Sequence, residues 1–267
     1  MRTTNKKKMR AISMKKASLV YFLSFLVIPF ILASSVAMAK TETSSDKNSK
    51  PSGNTKKYPN FIYQPIEIRK TNIKDTKFTI LWRTIKKTTG QIKYGETPSA
   101  EQTAFDDRGK GIVSEIHHVT IRNLKPNTVY YYKIVSANKA YQNNNKPFTI
   151  TTGPSIMATG SDVAYGRIYS RKNIPYKKGA IVYLTLYDKN KAGSPRASST
   201  VSILTDINGY WSYELKNFRE ENLNNLFRYS EAGDRLKIGV QIEDLPNILL
   251  LEVDTKNDSP VKDIIIR

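Results

Sequence analysis

His117 and His118 are the only imidazoles in 267 residues, and the chain has no cysteine. Adjacent residues on a strand point to opposite faces, so the pair cannot chelate one ion together. His117 shares the side of Val119 and Ile121 and is expected as a packed rim residue. A two-metal phosphoester centre needs several Asp, His and Asn side chains converging, and two adjacent histidines cannot supply that set. The lack of cysteine removes disulfides, thiolate metal sites and thiol nucleophiles together. No Gly-x-Ser-x-Gly elbow occurs, and only one of the two histidines could act as base for a serine. Asp106 with Asp107, Glu220 with Glu221, and Asp188 with Asp206 are the carboxylate pairs that glycoside chemistry would need. All fall in expected turns or exposed segments, where acids are solvated. Asp206 and Asn208 in "TDINGY" make one oxygen-bearing turn, well short of a calcium ligand set, and no glycine-rich phosphate loop joins a strand to a helix. The residues point to a protein with no catalytic, metal or cofactor site.

What remains is recognition. In "GAIVYLTLYD" the side opposite Val182, Leu184 and Leu186 carries Ile181, Tyr183, Thr185 and Tyr187. The two tyrosines stand about 13 Å apart at roughly 3.3 Å per residue. Arg167 and Tyr169, which share a face of the preceding strand, are expected to flank them. Such a strip suits stacking on sugar rings or docking a partner sheet; the competing expectation is that it packs on the first domain or on the stretch from Lys216 to Asp234.

The elements that must position these residues are short alternating strands between turn signals, the pattern of an all-β protein. "KFTILWRT" sets Phe78, Ile80 and Trp82 on one face, "GQIKYG" sets Ile92 and Tyr94 inward, and "VYYYKIV" puts Tyr130, Tyr132 and Ile134 on one side with Tyr131 and Lys133 on the other. Gly153-Pro154 and "SIMATGSD" separate this half from a second set of strands. There, Asn208-Gly209 predicts a type I′ hairpin, Trp211, Tyr213 and Leu215 point inward beyond it, and Leu236, Ile238, Val240 and Ile242 alternate. The stretch from Lys216 to Asp234 breaks alternation and predicts one short helix. The expected organisation is two tandem β-sandwich domains, residues 63–154 and 162–267, after a signal peptide over 1–39 and a flexible tether over 40–62.

Residues 64–153 resemble a fibronectin type III domain, through Trp82 on the second strand and the tyrosine corner of Leu124, Pro126, Thr128 and Tyr130. A narrower resemblance is to the N-terminal sandwich of purple acid phosphatases, through "GQIKYGETPS", "HHVTIRNLKPNTVYYYKIVS" and "NKPFTITTGP". It implies fold more than activity, because in those enzymes the catalytic metals occupy a separate domain. The second half resembles transthyretin-like, carboxypeptidase regulatory-like sandwiches, through "GRIY", "GAIVYLTLYD" and "ILTDINGYWSYEL", with Trp211 in the core; the stretch from Lys216 to Asp234 departs from that pattern. The resemblance implies a spacer or binding module.

The charge and the N-terminus suggest where such a module works. Six basic residues between Lys6 and Lys16 precede an apolar run from Leu19 to Ala33, and Ala37-Met38-Ala39 reads as a cleavage site after Ala39; an uncleaved anchor is the alternative. No later segment is apolar enough to span a bilayer. The chain has 43 Lys and Arg against 23 acidic residues, a net charge of +20. Removing the signal segment leaves a net charge of about +13. The expected protein is exported to the cell surface, periplasm or extracellular space and carries no nucleic-acid motif. Its expected partner is an anionic envelope polymer, a glycan or a surface protein. Two rival readings are an accessory module of an extracellular phosphoesterase or glycosidase borne on another chain, and an enzyme with an unrecognised carboxylate site.

Overall fold

The structure, a computed structural model, describes residues 60–171, 173–177, 179–243 and 245–266. The expected signal peptide with its Ala39 cleavage site, and all but the last residues of the tether, lie outside the described residues. What is described is nearly all β, arranged as two sandwiches.

The first is built around β2 (Phe78–Gly95), eighteen residues long, which serves both sheets. Its first half pairs antiparallel with β1 (Ile66–Thr71) and β4 (Val113–Ile121). Its second half pairs with β3 (Gln102–Phe105) and β5 (Val129–Ser136). The register slips between Arg83 and Thr88, and a slip of this kind is how one strand turns the corner between two packed sheets. On its outer side β5 carries β6 (Lys139–Tyr141) and β7 (Phe148–Thr151). Alternation decides the core: Phe78, Ile80, Trp82, Ile92, Val119, Ile121, Tyr130, Tyr132 and Ile134 are buried together. The Tyr130 hydroxyl accepts the Lys125 backbone N–H at 2.9 Å, which closes the tyrosine corner. Two of the three consecutive tyrosines, Tyr130 and Tyr132, are thus core residues, while Tyr131 is half-buried.

The second sandwich has two sheets. One runs β11 (Val201–Leu204), β10 (Ile181–Tyr187), β13 (Arg235–Gln241), β14 (Leu249–Asp254). The other runs β12 (Tyr210–Glu214), β8 (Val163–Arg171), β15 (Ile264–Ile265), with β9 (Ile174–Pro175) beside β8. Between them lie Val182, Leu184, Leu186, Trp211, Leu236, Ile238 and Val240.

Two expectations are corrected here. Asn208-Gly209 does form a turn, but not a type I′ hairpin: only Gly209 has a positive φ, +78°. Gly209 N–H bonds Asp206 O, while the Asp206 carboxylate takes the Asn208 and Tyr210 amides at 2.8 and 2.9 Å. That side-chain capture favours a type I turn followed by a left-handed glycine, and it sends the chain from one sheet to the other, where β12 pairs with β8. The stretch from Lys216 to Asp234 contains a single 3-10 turn, Leu215–Asn217, and no α-helix. Phe218 and Phe227 instead anchor it in the core of the second sandwich.

Among the described residues, Asp258 is the acid for which burial prevails over the groups that would favour its charge. Its Oδ2 finds no hydrogen-bond partner, and burial together with the nearby Asp162 pushes the carboxyl up to about 6. An acid raised in the folded state favours folding below its unfolded pKa, and that contribution is lost as pH climbs through the folded value. Asp258→Asn should therefore flatten a decline in stability of about 2–3 kcal/mol between pH 4 and 7. Urea midpoints across that range would show it, and an unchanged slope would refute it.

Candidate functional site

The two sandwiches meet face to face. Outward positions of β2 and β4, Leu81 and Ile116, pack against Ile181 and Tyr183 of β10, with Leu204 and Ile248 alongside. Around this apolar patch runs a polar seam. Asn72 and Ser202 exchange bonds as two backbone strands would: Asn72 Nδ2 donates to Ser202 O at 2.8 Å and Ser202 N–H donates to Asn72 Oδ1 at 3.0 Å. Arg83 reaches the Leu245 and Pro246 carbonyls, both at 3.0 Å. Glu243 receives Lys87 at 2.7 Å, the Ser114 hydroxyl and the Glu115 N–H. Burial would raise the Glu243 carboxyl, but these three donors outweigh it and leave it lowered. Arg219, buried in the second sandwich, donates to Pro154 O at 2.8 Å and pairs with Asp75 at 3.5 Å.

The seam also holds a constellation that elsewhere does nucleophilic chemistry. His118 Nδ1 donates to Asp107 Oδ2 at 2.7 Å, and His118 Nε2 meets the Ser202 hydroxyl at 2.9 Å. Asp, His and Ser are thus in relay order, with the serine supplied by the other sandwich. Ser202 Oγ, however, also meets Thr71 Oγ1 at 2.6 Å and Asn72 Nδ2 at 3.2 Å. A hydroxyl has one donor and two acceptor sites, so three partners saturate it and no lone pair is left to attack a substrate. The relay works as a clasp. Sequence reasoning missed it because Ser202 and His118 lie 84 positions apart, and no local signal marks either.

His117 points the other way, as strand alternation requires, but it is not at a rim. It is fully buried, stacked on Trp82 with centroids 4.7 Å apart, and its Nδ1 lies 3.4 Å from Asp106 Oδ2. Asp106 is gripped by Arg108 through Nε at 2.8 Å and Nη2 at 3.0 Å. Burial pushes this carboxyl up, but the bonds and charge of Arg108, with His117 close by, prevail and hold it well below the usual carboxylate range. Asp106 and Asp107 are thus structural partners of two different histidines. Among the described residues no group of three or more His, Asp or Glu is arranged to hold a metal ion.

The expected recognition face is divided by the fold. Tyr183 and Tyr187 share β10, whereas Arg167 and Tyr169 lie on β8 in the other sheet, so the four do not form one strip. Arg167 stacks over Tyr169 at 4.9 Å and over Tyr210, a residue the sequence reading did not single out, at 4.4 Å. Tyr183 is buried against the first sandwich, its hydroxyl donating to Gln241 Oε1 at 2.6 Å. Burial pushes its phenol up even with Arg69 beside it. It forms the floor of a cleft of about 460 Å³ between the sandwiches, walled by Arg69, Lys70, Thr185, Tyr187 and Lys237. Arg69 lies over the Tyr183 ring at 5.5 Å, and Tyr187 stays 36% exposed at the mouth. Three cations and no carboxylate line this cleft.

Fold and cleft together define a tandem β-sandwich protein whose first half fits a binding or spacer module. Comparison with known proteins agrees for that half: residues 63–152 match the family model described as the purple acid phosphatase N-terminal domain. No curated protein matches the chain in sequence. Among solved structures, that of PhoD is 14% identical, with a TM-score of 0.29 over 42% of this chain; the chain spans 24% of that structure's length. The chicken CNTN1 FN1–FN3 domains are 15% identical at a TM-score of 0.24, covering 74% of this chain and 67% of that one. A two-domain fibronectin type III segment from chicken tenascin is 11% identical at 0.21, covering 71% and 97%. No helix among the described residues is long and apolar enough to cross a membrane.

Proposed function

We propose that this is an exported, non-enzymatic binding protein of the cell surface or extracellular space, which holds an anionic polymer or glycan in the cleft between its two sandwiches. The carrying observation is the cleft's lining: Tyr183 and Tyr187 among Arg69, Lys70 and Lys237, with no carboxylate in that lining. Tyrosine offers an apolar face for sugar rings and a polar rim, and the basic balance of the whole chain attracts polyanions over distance. A transthyretin-like second sandwich would suit the same role, holding one wall of the cleft rigidly against the other. The match to a phosphatase N-terminal domain favours one second reading, an accessory module for an extracellular hydrolase on another chain.

Polygalacturonate and neutral dextran, titrated at low and high salt, test the binding reading. The acidic polymer should bind, weaken as salt rises, and bind at least about tenfold more weakly to a Tyr187→Ala, Lys237→Ala variant. Equal binding of dextran, or binding indifferent to the variant, would refute the assignment to this cleft.

A further inference from the structure

A second cavity, of about 360 Å³, opens at the same junction and shares no lining residue with the Tyr183 cleft. Lys77, Arg122, Asp107, His118 and Tyr213 are among its walls. Behind Tyr213 stands Lys74, its Nζ 5.6 Å from the ring centroid. Lys74, Lys77 and Arg122 form no ion pair among the described residues, because the nearby acids are engaged elsewhere. Asp75 faces Arg219, and Asp107 accepts from His118 and from both the amide and the hydroxyl of Thr120.

Crowding shows in the amines. Burial, then Lys77 and Arg219, pushes Lys74 down to about 8, against the pull of Asp75. Burial and Arg122 lower Lys77 in turn, against Asp107. Like charges gathered in a part-buried recess repel one another, and displaced ionisation of this kind in a cavity marks candidate ligand sites. Guanidinium and ammonium groups together give a fork and point charges suited to tetrahedral oxyanions. The His118 ring is committed to Asp107 and Ser202, so it offers no free donor and the cations must do the binding.

We propose that this recess binds a phosphate-sized oxyanion, free or as an ester on a larger molecule, through Lys77 and Arg122 with Lys74 supporting from behind Tyr213. The cavity is larger than one such group, which leaves space for the rest of an ester.

Sulfate, which does not titrate near neutrality, is the first probe, followed by calorimetry on the full chain at constant ionic strength against chloride. Saturable sulfate binding is expected, at least about tenfold weaker in Lys77→Ala and in Arg122→Ala. An anion favours charged Lys74, so its pKa rises on binding. The complex should therefore take up a fraction of a proton at pH 8, and Lys74→Met should reduce that uptake to the share that Lys77 supplies. Circular dichroism and tryptophan emission check that each variant folds. Glycerol phosphate separates the two sources: tighter binding than sulfate identifies an ester site, and equal binding a free oxyanion site. Absence of any sulfate effect beyond chloride overturns the proposal. So does sulfate binding that survives both cavity variants but is lost in Lys237→Ala, since that places the anion in the Tyr183 cleft.

Discussion

Trp82→Ala is expected to destabilise the first sandwich by about 3–5 kcal/mol, the range for truncating a large buried aromatic. The indole is 2% exposed and lies parallel to the His117 ring, with an interplanar angle of 20°. Gly90 makes room for both: a Cβ there would come 2.5 Å from the Trp82 ring and 2.5 Å from His117 Nδ1. Truncation would leave His117 without its stacking partner and open the cavity onto the Asp106–Arg108 pair, where water could compete for a carboxylate now held by fixed donors. Trp82→Phe keeps a ring on the imidazole and should lose far less. Denaturant midpoints of both variants give the comparison. A loss below about 1 kcal/mol for the alanine variant would show that the Trp82 site collapses without holding the sandwich together.

The inward faces of most strands were legible because alternation has a period of two, whatever the partner. Phe78, Ile80 and Trp82 needed only to be apolar at every second position to be assigned inward, and they are buried together. Most of the errors share a cause, dependence on a partner distant in sequence. His117 is buried because Gly90 lacks a side chain across the sheet, and nothing near His117 in the chain encodes that. The Asn208-Gly209 dipeptide correctly signals a turn. Its type is decided by the Asp206 carboxylate, and its strand partner by β8. Tyr183 sits on the outward side of β10 as alternation requires, yet it is covered, because the first sandwich uses the outward face of its own β2 and β4 as a second buried surface. Thr79, Leu81 and Ile116 are all buried there. A strand buried on both faces loses the contrast between its two sides, so the junction and both of its cavities were hidden from a reading made strand by strand.

Asn72→Ala should have the second-largest effect, through that junction. Asn72 stands at φ +52°, a left-handed conformation that asparagine tolerates better than alanine. Its side chain makes bonds to Ser202 N, Ser202 O, Ser202 Oγ and Thr79 Oγ1. Alanine would leave an amide and a carbonyl of β11 short of a partner in a closed seam, at about 1–3 kcal/mol for a buried group left unpaired, plus the strain of the backbone. The expected total is about 3 kcal/mol. It should fall on the docking of the two sandwiches and not on either core, since Asn72 belongs to neither. The chain holds two tryptophans, Trp82 in one core and Trp211 in the other. Emission from a Trp211→Phe protein therefore follows the first sandwich, and emission from a Trp82→Phe protein follows the second. With Asn72 in place the two unfolding curves should coincide; with alanine they should separate, because neither sandwich then stabilises the other. Coincident curves with an unchanged midpoint would mean that the Leu81, Ile116, Ile181 and Tyr183 patch suffices alone. Separation would also loosen both cavities at once, since each takes walls from both sandwiches, so weaker binding in a variant that touches no ligand is the functional signature of the seam.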